Sequence, residues 1–201
     1  MLKTNLKRLY NKLSTLNFLP RRQAGKLPNA EGLTLVEILV VAALLVILIS
    51  GLIVLIDPLK KIALANDAKR KSELAQLQRA LEIYYQDHQQ YPTSSGTYKI
   101  IDVSERNWGT SWSPYMSILP KDPSDPTLKY VYFSPANGQC ANNQCYYLYA
   151  NLQRGANDPN SCNGGLACAS LGTAGFPPAN ACLQTCNYGV TSPNMSPNTT
   201  P

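Results

Sequence analysis

Gly32-Leu33-Thr34-Leu35-Val36-Glu37 runs without interruption into an apolar stretch, and residues 33–56, LTLVEILVVAALLVILISGLIVLI, decide how the chain is read. Glu37 is the sole charge in those 24 residues. At about 1.5 Å per residue the segment makes a helix of about 36 Å, enough to cross a hydrocarbon core of about 30 Å with some tilt. A buried helix of a soluble domain carries a polar stripe, whereas this one is apolar all round. The expectation is a single transmembrane helix over 33–56.

Charge around the span sets its direction. Residues 1–32 hold seven basic side chains (Lys3, Lys7, Arg8, Lys12, Arg21, Arg22, Lys26) against Glu31 alone, and residues 33–201 hold 11 basic against 11 acidic. A basic flank before the span keeps the N-terminus cytoplasmic and places the rest outside. The neutral remainder lacks the lasting basic face that nucleic-acid binding requires, so no nucleic acid is expected as a partner. All six cysteines (Cys140, Cys145, Cys162, Cys168, Cys182, Cys186) fall beyond the span, on the side where disulfides persist. Ala63-Leu64-Ala65 matches a secretory cleavage pattern, but the apolar run is too long, and Asp57, Pro58, Lys60 and Lys61 intervene. An uncleaved anchor accounts for the span and leaves unexplained a Glu five residues into it.

Glycine, the Thr34-Leu35-Val36-Glu37 string and the apolar helix together resemble the class III signal of type IV prepilins and type II secretion pseudopilins. The resemblance implies that a prepilin peptidase/N-methyltransferase cuts after Gly32 and methylates Leu33, the new N-terminus. Residues 1–32 are then a basic leader that is removed. Glu37 becomes the fifth mature residue, forming the filament-assembly segment with Thr34 and Leu35. Family members usually begin with Phe where this chain has Leu33. The spacing makes chemical sense, because the cut leaves an ammonium on an apolar helix. A charge at the bilayer centre costs about 2.5–3.5 kcal/mol on insertion scales. Glu37, one turn along, supplies the opposite charge, and the resemblance implies that it meets the amine of a neighbouring subunit. Implied partners are copies of the chain in a helical filament, an inner-membrane platform protein and an assembly ATPase.

Asp57-Pro58 is expected to bend or unwind the helix, with Gly51 a second weak point. The pattern resumes over 57–90, where Leu74, Leu77, Leu81, Tyr84, Tyr85 and His88 recur every three or four residues as one apolar face. Lys60-Lys61 and Lys69-Arg70-Lys71 read as solvated or intersubunit charges. Tyr91-Pro92 ends the helix, since a residue before Pro avoids the α region. The helix ending near Tyr91-Pro92, Leu119-Pro120-Lys121-Asp122-Pro123 and the paired strands that follow resemble the major pseudopilin of type II secretion.

Residues 128–134 and 145–152 are rich in aromatic and β-branched side chains and read as an antiparallel hairpin within 128–152. Either Val131 and Phe133 or, in the other register, Tyr130 and Tyr132 face the spine. The head, 91–189, is short of aliphatic core: residues 91–201 hold 13 Ile/Leu/Val and two Phe against 12 Pro, 12 Asn and nine Gly. Such a composition needs packing on the spine and cross-links to offset chain entropy. Cys140 and Cys145 flank a four-residue loop that suits a local bridge, while the other four cysteines leave several pairings open. Residues 190–201 read as a disordered or glycan-bearing tail. The resemblance also implies calcium in the loops after the strands, for which Asp122, Asp125 and Asp158, with Asn157, are oxygen donors of the right kind. The local family pattern is missing there, and turn roles are expected instead.

The reading is an α+β, pilin-like fold: a long N-terminal helical spine, transmembrane in its first half, packed against a small antiparallel sheet with Cys-rich C-terminal loops. It implies a non-enzymatic subunit without cofactors, first in the inner membrane with an extracytoplasmic head, then in a periplasmic or extracellular filament. That filament is a type II secretion pseudopilus or a type IV pilus, serving secretion or adhesion and motility. The rival is a membrane-anchored binding protein that never polymerises.

Overall fold

The computed structural model describes residues 32–135 and 138–198. The expected leader up to residue 31, and the last three residues of the expected tail, lie outside them. The chain divides between Leu55 and Ile56 into two compact units.

In the first, helix α1 spans Leu35–Ile56. Its polar interior residue is self-satisfied: the Ser50 hydroxyl donates to the Val46 and Ile47 carbonyls at 2.6 and 3.0 Å. Every side chain from Leu35 to Ile53 is exposed, so the helix is an uncovered apolar rod, long enough to cross a membrane.

Near the start of the second unit stands Asp57, whose left-handed backbone (φ 45°, ψ 71°) ends helical geometry, while its carboxylate accepts the Lys60 N–H and starts helix α2, Pro58–His88. Proline suits that first position because its missing N–H is not needed there. At the far end Gln89 turns left-handed and donates its N–H to the Tyr85 carbonyl at 2.8 Å, ahead of Tyr91-Pro92.

The buried stripe of α2 comprises Asp67, Arg70, Leu74, Leu77, Ala80, Leu81 and Tyr84. Tyr85 packs at its edge, and His88 is exposed, stacked on Tyr84 at 4.1 Å. Strands β1 (Thr93–Ser94) and β2 (Ile100–Ile101) form a small antiparallel pair. The loop after β2 folds onto the C-terminal part of α2 through Trp112, whose ring meets Tyr84. The Asp102 carboxylate fixes that loop, accepting two Arg106 N–H groups at 2.8 and 2.9 Å and the Trp112 indole N–H at 3.1 Å.

The main sheet has order β3 (Val131–Phe133), β4 (Tyr147–Ala150), β5 (Tyr188–Thr191), antiparallel throughout. Val131 pairs with Tyr149, and Leu148 with Val190. Strand β5 corrects the boundary read from sequence, since Val190 and Thr191 belong to the sheet and not to a tail. It is further tied by Gln78 Nε2 donating to the Thr191 carbonyl at 3.0 Å. A four-residue strand carrying a glycine has little signal of its own, and its partner lies far upstream.

Side-chain alternation places Tyr130, Tyr132, Tyr146, Leu148 and Ala150 against α2. Val131, Phe133, Tyr147 and Tyr149 point to the opposite face, where they meet the half-cystines. Of the two registers open in the sequence, the tyrosine one is adopted. Three layers result: α2, the sheet, and loops stapled by Cys140–Cys145, Cys162–Cys168 and Cys182–Cys186. Each bridge closes so short a loop that its stabilisation is about 2 kcal/mol on the chain-entropy account.

Two tyrosines of this sheet make opposite predictions. The buried Tyr132 hydroxyl donates to the Pro92 carbonyl at 2.6 Å, whereas the buried Tyr147 hydroxyl has no hydrogen-bond partner among the described residues. In urea unfolding Tyr132→Phe is expected to cost about 1 kcal/mol and Tyr147→Phe to cost nothing or to stabilise.

Candidate functional site

Two regions carry the chemistry: the start of α1, and the fastening of the head to α2. At the first, Gly32 and Leu33 precede the helix. Thr34 caps it, its Oγ1 accepting the Glu37 N–H at 3.2 Å and its carbonyl accepting the Ile38 N–H at 3.2 Å. Thr-x-x-Glu is the spacing of a capping box, and an acidic side chain in the first turn also suits the helix dipole. Leu35 is the first helical residue and is 80 % exposed. The Glu37 carboxylate is exposed and has no ion pair or hydrogen bond among the described residues. A lone carboxylate thus stands at the entrance to a rod that is otherwise apolar.

At the second, Arg70 is completely buried. Its Nε and Nη2 donate to the two Asp122 carboxylate oxygens at 2.8 and 2.9 Å, and its Nη1 donates to Asp67 at 2.8 Å. Nη2 also donates to the Ser124 hydroxyl at 2.9 Å. Asp67 completes the joint by accepting the Gln153 and Arg154 N–H groups at 2.9 and 2.8 Å. One guanidinium therefore ties α2 to the loop before β3 and, through Asp67, to the loop after β4. Burial alone would lower the Arg70 pKa, and the two carboxylates outweigh it, leaving the group held above its ordinary value.

For Arg70 and Lys71 this corrects the reading of residues 69–71 as solvated or intersubunit charges. Lys69 is exposed, but Arg70 is in the core, and Lys71 pairs with Asp158 and lies 5.8 Å from the Tyr188 ring centre. Asp67 and Arg70 continue the spacing of Leu74, Leu77 and Leu81. Charges in phase with an apolar stripe were the signal available in the sequence.

Tyrosine hydroxyls form a second row of fastenings on α2. Tyr130 donates to Glu73, while Tyr146 and Tyr91 donate to Glu82 at 3.1 and 3.0 Å. Burial first, and the neighbouring carboxylates second, push Tyr130, Tyr146 and Tyr91 well above the ordinary tyrosine value.

The calcium donors raised by the sequence do not converge. Asp122 is held by Arg70, Asp125 by Lys121 at 2.7 Å, and Asp158 by Lys71. Asn157 ends a short 3-10 turn, Gly155–Asn157. No group of three or more His, Cys, Asp or Glu side chains gathers among the described residues. These carboxylates are neutralised by side-chain cations and do not fit a calcium cage. All six cysteines are in disulfides.

A family model described as type II secretion system (T2SS), protein G, matches residues 58–161, from the first residue of α2 to the brink of the Cys162–Cys168 loop. No curated protein and no solved structure matches the chain.

Arg70→Met is expected to destabilise the head by about 3–5 kcal/mol in denaturant unfolding, because two carboxylates lose a buried partner. Alkali should act through the tyrosines. Their folded pKa values lie above an unfolded value of about 10, so their contribution is whole below pH 10 and drains away as pH rises beyond it. Absorbance titration of phenolate is expected to show a late class of tyrosines that ionises together with loss of far-ultraviolet circular dichroism.

Proposed function

This chain belongs to the type II secretion system protein G family, and on that premise we propose that it is a pseudopilin that is cut after Gly32 and polymerised through α1 into a secretion filament. Glu37 carries the reading. A carboxylate in the first turn of an exposed apolar helix, without a partner among the described residues, is costly in a bilayer or a dry bundle unless an opposite charge meets it. The α-amine freed on Leu33 of a neighbouring copy is that charge. Pairing the two satisfies both ions and sets the axial stagger between subunits. Thr34 helps by fixing where the helix starts, which holds Glu37 one turn from the new terminus.

The work is mechanical. Before assembly the subunit sits in the inner membrane with its N-terminus cytoplasmic and its head outside. A platform protein and an ATPase drive its addition to the filament, and no chemistry is asked of the head itself.

Intact-mass measurement of the membrane and sheared-filament fractions tests the proposal. The expected species begins at a methylated Leu33. Glu37→Ala is expected to be processed and inserted normally yet to be absent from filaments, while Glu37→Asp keeps the charge and retains part of the assembly. A monomeric protein that keeps its basic residues 1–32 would point instead to a non-polymerising anchored binding protein.

A further inference from the structure

The three disulfides join the cysteines in the order in which they occur along the chain: Cys140–Cys145, Cys162–Cys168 and Cys182–Cys186, at sequence separations of 5, 6 and 4. Six cysteines allow many other pairings, and this is the one in which every bond joins consecutive cysteines. Each ring also has short-range contacts of its own. In the first, the Gln144 N–H donates to the Cys140 carbonyl at 3.4 Å, past the left-handed Asn142 and Asn143. In the second, Asn163, Gly164 and Gly165 are all left-handed, and the Gly165 N–H and Asn163 Nδ2 donate to the Cys162 and Ala167 carbonyls, each at 2.8 Å. In the third, the Cys182 N–H donates to the Cys186 Sγ at 3.1 Å, and Leu183 is left-handed. All of these contacts lie within a ring. The half-cystines themselves end up in the core, each at most 2 % exposed, in one cluster with Val131, Tyr147 and Tyr149.

We propose that the head is the product of an ordered dithiol oxidation: an extracytoplasmic dithiol oxidase sets the three bridges in chain order as the cysteines emerge, before the loop layer closes on the sheet, and no disulfide isomerase is needed. The inference rests on the topology read above, in which the head is exported behind α1. In each step the thiolate of the first cysteine attacks the enzyme's disulfide and forms a mixed disulfide. The second cysteine then attacks the chain-side sulfur, the new S–S bond closes, and the enzyme leaves as a dithiol. Two electrons and two protons pass from the cysteine pair to the enzyme, so the step balances. Arrival sets the pairing. At about 5–20 residues per second Cys162 emerges about 1–3 s after Cys145, and in that interval Cys140 has a single partner within reach. Closing so short a loop takes about 10–100 ns and imposes no delay. Burial makes the order binding. Once the loops dock, no enzyme reaches the sulfurs, so a wrong bond cannot be edited and the first bond formed has to be the native one.

The test maps disulfides of the full-length chain in cells lacking the isomerase. Thiols are alkylated seconds to minutes after a labelling pulse, and pairs are read by peptide mass on the denatured chain, so no variant has to fold. The unaltered chain is expected to pass through species that hold only native pairs and to reach full oxidation within about twofold of its rate in cells that have the isomerase. Loss of the oxidase is expected to raise the fully reduced fraction by about tenfold or more. Cys140→Ser and Cys186→Ser separate arrival order from guidance by the folded head. With Cys140 gone, Cys145 takes Cys162 and Cys168 takes Cys182, so the native Cys162–Cys168 bond is expected to fall by about tenfold. With Cys186 gone, the first two bridges are expected to form as before. The proposal is overturned if both variants keep Cys162–Cys168, if non-native pairs precede the native ones in the unaltered chain, if the isomerase is needed, or if the oxidase is not. A chain that keeps all its thiols in cells holding both enzymes overturns it as well, and with it the outward topology of the head.

Discussion

Arg70 is the joint on which the head depends. A guanidinium with no exposure to water has to be matched on nearly all its donors, and here two carboxylates and a serine hydroxyl do so. Because those partners come from the helix itself and from the loop before β3, satisfying one side chain dictates the path of two segments. Asp67 then recruits two backbone N–H groups from the loop after β4. Breaking such an arrangement leaves buried ions uncompensated, which is why its energetic weight exceeds that of the exposed pairs elsewhere on the helix.

Around that joint the head manages with few aliphatic residues. Tyrosine rings provide apolar area on both faces of a three-stranded sheet. Those facing α2 end in hydroxyls that find Glu73, Glu82 or the Pro92 carbonyl. Three half-cystine pairs fill much of the other face, so the loops that cover it are held covalently and not by a large core. The three carboxylates that the sequence offered for calcium, Asp122, Asp125 and Asp158, each face a protein cation in this arrangement.

The two units divide the chemistry. One is an apolar rod whose single carboxylate, in its first turn, has no partner among the described residues, and the other is a cross-linked head fastened to α2. A rod of that kind is unsuited to water and suited to lipid or to a bundle of its own copies. That property links the family membership to filament assembly.

The unbroken apolar run over 33–56, the odd position of Glu37 and the recurrence of Leu74, Leu77, Leu81 and Tyr84 were legible without any coordinates. They are local patterns, and local spacing alone determines which side chains share a helix face. The existence of β3 and β4 followed likewise from aromatic runs separated by turn residues. The Thr34 cap was present as the Thr-x-x-Glu spacing. Tertiary structure decided the rest. Whether Tyr132 or Val131 faces α2 is a one-residue shift that sequence alternation permits in both directions, and only the shape of the helix stripe selects it. Strand β5 exists because β4 offers an open edge to a segment far downstream. Arg70 is buried because Asp122, distant along the chain, arrives opposite it. Each of these outcomes depends on a partner brought close by folding, and no window of neighbouring residues contains both halves of the contact.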